Sequence, residues 1–137
     1  MSLKNKQVEA LCYSIIDKYK PLMFLDAHIF TVKYDAEITE EYFMWCEPKF
    51  PYFDAIITYG DSAIEAFDEY KNNKKEQRIY FEPFVIHEMA HVIMAGLIDK
   101  AKQRYVTENE INGEFEKLTD YIMKIILNLC KQNFKKN

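Results

Sequence analysis

Between residues 3 and 20 the apolar side chains Val8, Leu11, Cys12, Ile15, Ile16 and Tyr19 recur every three or four positions. That spacing predicts an amphipathic helix, stopped by Pro21. The period then shortens. Residues 27–34, 42–47 and 52–59 are rich in β-branched and aromatic side chains and are parted by polar or proline-containing breaks, which predicts three strands in a small, mostly antiparallel sheet. Ser62-Ala-Ile-Glu65 has the spacing of a capping box and opens a short helix, after which residues 71–78 read as a solvated polar loop.

Pro83 suits the first turn of a helix, and residues 84–98 are apolar on almost every side, which predicts a helix buried at the centre of the molecule. A last helix is expected over about 108–130, with Ile111, Phe115, Leu118, Ile122, Ile125 or Ile126 and Leu129 as its core stripe. Residues 131–137 read as a basic, frayed tail. Helices and a small sheet around one core make an α+β fold. With no linker in the chain, residues 1–137 form a single domain, long enough to bury roughly two thirds of its unfolded surface.

Composition removes several functions. The net charge of −4 argues against a nucleic-acid or membrane-surface role, because phosphate and anionic lipid both reward a basic face. The three glycines are far apart, which leaves no phosphate loop, no dinucleotide-binding turn and no serine-hydrolase elbow. Cys12, Cys46 and Cys130 are odd in number and form no close pair, so reduced, buried thiols are expected rather than a disulfide framework or a cysteine zinc site. The polar N-terminal residues and the absence of a long apolar run fit a soluble, cytoplasmic protein, expected as a monomer or weak dimer.

Two of the three histidines stand four apart in His87-Glu88-Met89-Ala90-His91, the HExxH pattern. On a helix both imidazoles share one face and can reach one metal ion, while the glutamate between them meets a water on that ion from the side. For this composition the pattern arises by accident on the order of 0.6 % of the time. A core carboxylate among Val85, Ile86, Met89, Ala90, Val92 and Ile93 would also cost several kcal/mol if unpaired, roughly the scale of a buried charge. A divalent ion compensates all three groups. Zinc with an open position for water then needs a third protein ligand. Met94 and Leu97 stand where the longer metzincin motif has Gly and His, and His28, far upstream, is expected to pack rather than ligate. A carboxylate on the last helix is better placed.

There, Asn109-Glu110-Ile111-Asn112-Gly113-Glu114 is similar to the Asn-Glu-x-x-x-Asp element of thermolysin-like gluzincins, and it follows His91 at close to that family's interval. With HExxH, the chain resembles minimal gluzincin-like zincins such as those of phage and mobile elements, over roughly residues 82–126. The resemblance implies a compact zincin-like domain in which Glu110 is the third zinc ligand and Glu114 orients a histidine. Glu stands here where the family has Asp, and the chain is far shorter than a full gluzincin. Two readings of the residues stay open. Thr107-x-x-Glu110 is also a capping box, and Glu114 lies nearer the apolar stripe than Glu110, so either glutamate could be the ligand.

The expected activity is zinc-dependent hydrolysis of a peptide bond, with Glu88 taking a proton from the metal-bound water and passing it to the leaving amine. Tyr105, in the connection between the two helices, is the first candidate for an oxyanion donor. In zincins the substrate lies along the edge strand beside the metal helix, and residues 52–59, nearest before that helix, are the expected edge. The small chain favours a restricted protein or peptide substrate. The competing expectation is a non-catalytic or weakly active zinc-binding regulatory module on the same fold.

Overall fold

The computed structural model describes residues 2–38, 42–49, 52–102 and 108–135, and their side chains except those of 96–102, 111, 114 and 132–135. Helix α1, Leu3–Tyr19, begins where Ser2 Oγ accepts the Asn5 N–H at 3.2 Å, a side-chain cap for an otherwise unpaired donor. Val8, Cys12, Ile15, Ile16 and Tyr19 are buried, as their spacing predicts. Pro21 then turns the chain into a short 3-10 segment, Pro21–Met23.

Strands β1, Ile29–Tyr34, β2, Met44–Pro48, and β3, Asp54–Tyr59, form one sheet in the order β1-β3-β2. β2 pairs with β3 antiparallel, Cys46 opposite Ile57, and β1 pairs with β3 parallel, Val32 opposite Ile57. The expectation of mostly antiparallel pairing therefore holds for β2 with β3 and not for β1 with β3. The chain reverses twice before β3 is laid down between its two predecessors, so β3 runs in the direction of β1. This also corrects the expected substrate edge: β3 is the central strand, and β1 and β2 are the edges. Ala55, Ile57, Thr58 and Tyr59 are all buried, the near-continuous burial of a strand covered on both faces.

Helix α2, Asp61–Glu69, starts directly after β3 with Gly60 at its cap, two positions before the cap of the expected box, Ser62. A Cβ at Gly60 would stand 3.2 Å from Ile38 Cβ, so any side chain there would require Ile38 to give way by a few tenths of an ångström. Helix α3, Lys74–Lys102, absorbs most of the expected polar loop and places Pro83 inside the helix rather than in its first turn. Two local features account for this. Asn73 Oδ1 accepts the Glu76 N–H at 3.2 Å and so caps the helix ten residues before Pro83. Ile79, whose carbonyl would have paired with the missing proline N–H, lies on the solvent face, where water can replace that bond. Phe81, Val85, Ile86, Met89 and Ala90 are fully buried, while Ile93 is exposed.

Helix α4, Glu108–Lys135, continues through most of the expected tail and lies against α3. Its core side is Thr119, Ile122, Met123, Ile126, Leu127 and Cys130. Leu118 and Leu129, expected in the core stripe, are exposed instead; of Ile125 or Ile126 it is Ile126 that packs inward, and the side chain of Ile111 lies outside the described residues. The buried residues of α1, the sheet, α2 and α3 make one cluster. Cys12 and Cys46 are buried free thiols, and Cys130 is half-buried and free. No described helix is long and apolar enough to cross a membrane.

Candidate metal centre

One turn of α3 carries His87, Glu88 and His91, whose ligand atoms lie within 4.8 Å of one another. The two imidazoles meet edge to face with centroids 4.9 Å apart. Both are turned toward α4. His87 Nε2 stands 3.1 Å from Glu116 Oε2, and His91 Nε2 stands 3.1 Å from Glu116 Oε1. One carboxylate thus faces both rings. On its other side His87 Nδ1 is 3.1 Å from Asp120 Oδ1, one helical turn beyond Glu116. A carboxylate only accepts, so each ring nitrogen of His87 meets its acid through a proton unless a cation takes the place of the one between Nε2 and Glu116.

Two Nε2 atoms and one carboxylate converge, and each must meet either a proton or a cation. Donors around tetrahedral zinc at its usual bond lengths sit about 3.3 Å apart, close to the 3.1 Å between each Nε2 and its Glu116 oxygen. The residues fit a zinc ion held by His87, His91 and Glu116, with Asp120 behind His87.

Glu88 is only 8 % exposed, and its carboxyl is pushed up to about 8, first by burial and then by the nearby charge of Glu116; the main-chain N–H of Cys46 in β2 opposes the shift. Burial also lowers the His91 pKa, with His87 adding to the effect and Glu116 working against it. The three side chains open into a groove of about 710 Å³ between β2, with Met44, Trp45 and Cys46, and the α4 face that carries Asn112, Phe115 and Glu116.

The expected residues divide accordingly. His87, Glu88 and His91 come together. Glu110 is exposed in the first turn of α4, about 9 Å along the helix from Glu116, and does not line the groove. The carboxylate between the imidazoles is therefore Glu116, not Glu110. The side chain of Glu114, and Tyr105 altogether, lie outside the described residues. His28 packs edge-on against Phe53 at 5.2 Å, with Nδ1 buried and without a hydrogen-bond partner among the described residues, and is not part of the cluster. Neither Glu116 nor Asp120 is among the residues expected from the sequence. The signal is nevertheless present, since Glu116-Lys-Leu-Thr-Asp120 is itself Glu-x-x-x-Asp, with the aspartate that the upstream element lacks. Comparison of the chain with protein-family models, with curated proteins and with solved structures finds no match.

Proposed function

We propose that the protein is a zinc-dependent peptidase of zincin type, acting on a restricted protein or peptide substrate. The observation that carries this reading is Glu116, which faces the Nε2 atoms of both HExxH histidines at 3.1 Å while Asp120 backs His87. His87, His91 and Glu116 would hold the ion. Zinc in such a site acts as a Lewis acid that polarises a carbonyl and brings the pKa of water down toward about 7. Glu88 is the proton carrier. Buried beside both histidines, with its carboxyl raised toward neutrality, it can accept a proton at one stage and return it to the leaving amine at another. The groove wall formed by β2 is an edge strand of the sheet, so an extended peptide would pair with β2, not with the central β3.

Metal content and cleavage of a peptide library test the reading together. Stoichiometric zinc in the parent is expected, lost in His91→Ala and Glu116→Ala, kept in Glu110→Ala and Glu88→Gln. Asp120→Ala should weaken zinc binding by about 10- to 100-fold, the usual effect of removing a histidine's supporting carboxylate. Cleavage by the parent and not by Glu88→Gln makes it a peptidase. Zinc bound without cleavage would make it a binding module, and a parent without transition metal would overturn the site.

A further inference from the structure

The two edges of the sheet are not equivalent. On β1 the Tyr13 hydroxyl, from α1, accepts the Val32 N–H at 2.9 Å, so a helix side chain occupies the middle of that edge. On β2 the Lys49 N–H donates to the Asp54 carbonyl at 2.9 Å. By the alternation of an antiparallel ladder, Trp45 and Glu47 likewise pair inward with β3, while Met44, Cys46 and Pro48 turn their main-chain groups outward. Pro48 has no N–H to offer, and the Cys46 N–H is given to the Glu88 carboxyl. Among the described residues of β2, Met44 is therefore the one able to exchange both hydrogen bonds with an added strand.

Side chains alternate between faces along the same strand. Met44 and Cys46 are buried against the core, and Trp45 between them is 52 % exposed on the opposite face. Whichever way it runs, a strand that bonds to Met44 sets one of its residues beside Trp45, with its side chain on the face that carries the indole. The indole is already held in place there: Tyr42, 48 % exposed, packs against it edge to face with centroids 5.5 Å apart. Both residues line the groove, and the next residue along β2 is Cys46, which bonds Glu88. We propose that Trp45, backed by Tyr42, selects the substrate: the peptide residue that pairs beside it carries an aromatic or large aliphatic side chain. Such a side chain buries apolar surface against the two rings, and an aromatic one gains further from the edge and face of the indole. The inference rests on the proposed function only in taking a peptide as what enters the groove.

Trp45 is the one tryptophan of the chain, so its emission reports on this position directly. A randomised hexapeptide library is passed over immobilised Glu88→Gln protein with zinc in the buffer, and the retained peptides are sequenced. One position should be enriched about tenfold in phenylalanine, tyrosine, tryptophan and leucine, and a retained peptide should shift the tryptophan emission to shorter wavelength. In the same background Trp45→Ala should lose the enrichment and Trp45→Phe should keep most of it, both with unchanged zinc content. Tyr42→Ala, outside the strand, should reduce the enrichment about threefold, which keeps the test decisive if Trp45→Ala does not fold. No retained peptide, a pool without apolar preference, or a preference untouched by Trp45→Ala and Tyr42→Ala overturns the proposal. Retained peptides with this preference that the parent does not cleave would remove the peptidase reading and leave Trp45 as the selecting residue.

Discussion

Glu88 binds its proton more tightly in the native protein than in the unfolded chain, because burial and Glu116 raise its carboxyl from 4.5 to about 8. Its contribution to the stability of the metal-free protein is therefore full below about 4.5 and is lost as pH rises toward 8. The unfolding free energy of chelator-treated protein, measured by denaturant titration, should fall across that window by an amount on the order of 4 kcal/mol at its upper end. Glu88→Gln, which cannot ionise, should flatten the curve and be the more stable protein at the alkaline end; a parallel fall in both would refute the assignment. At this scale HExxH is fully legible in the sequence, because residues four apart on a helix share a face whatever surrounds them. Glu116 is not, because which of several carboxylates on another helix meets the histidines depends on how the two helices are rotated and staggered.

The elements were legible in kind and less so in extent. Apolar spacing locates α1 and the three strands to within a few residues, but α3 begins well before Pro83 because Asn73 caps it. Asn73→Ala should cost about 1 kcal/mol, the usual value of a lost helix cap, measurable by denaturant unfolding. Phe24 marks the other extreme. It follows the 3-10 turn with φ 57°, a left-handed conformation that side chains resist, and it is 92 % exposed, so its ring contributes little packing. Phe24→Gly should stabilise the protein by about 1 kcal/mol, read as a higher midpoint in the same titration. For α4 the difficulty is that it carries two apolar stripes. Helical periodicity finds both with equal ease, and only packing against α3 and α1 makes one of them the core side.

Across the whole molecule, the candidate centre joins two helices that contact each other over the groove, His87 and His91 from α3 and Glu116 and Asp120 from α4. An ion bound there ties α4 to the core and adds stability in proportion to its occupancy, since it binds the folded state alone. Chelation should therefore lower the melting temperature of the parent. The shift should vanish in His91→Ala and Glu116→Ala and persist in Glu110→Ala. An equal shift in all four proteins would place the metal elsewhere.

The sequence by itself determined the element types, the single α+β core and the helical turn bearing His87, Glu88 and His91, because each follows from periodicity and spacing within one segment. Tertiary structure alone decided that β3 is the central strand and β2 the edge beside the histidines, that Glu116 and Asp120 are the acids against the histidines, and that Leu118, Ile125 and Leu129 face outward. Those depend on the relative placement of segments far apart in the chain, which local spacing does not encode.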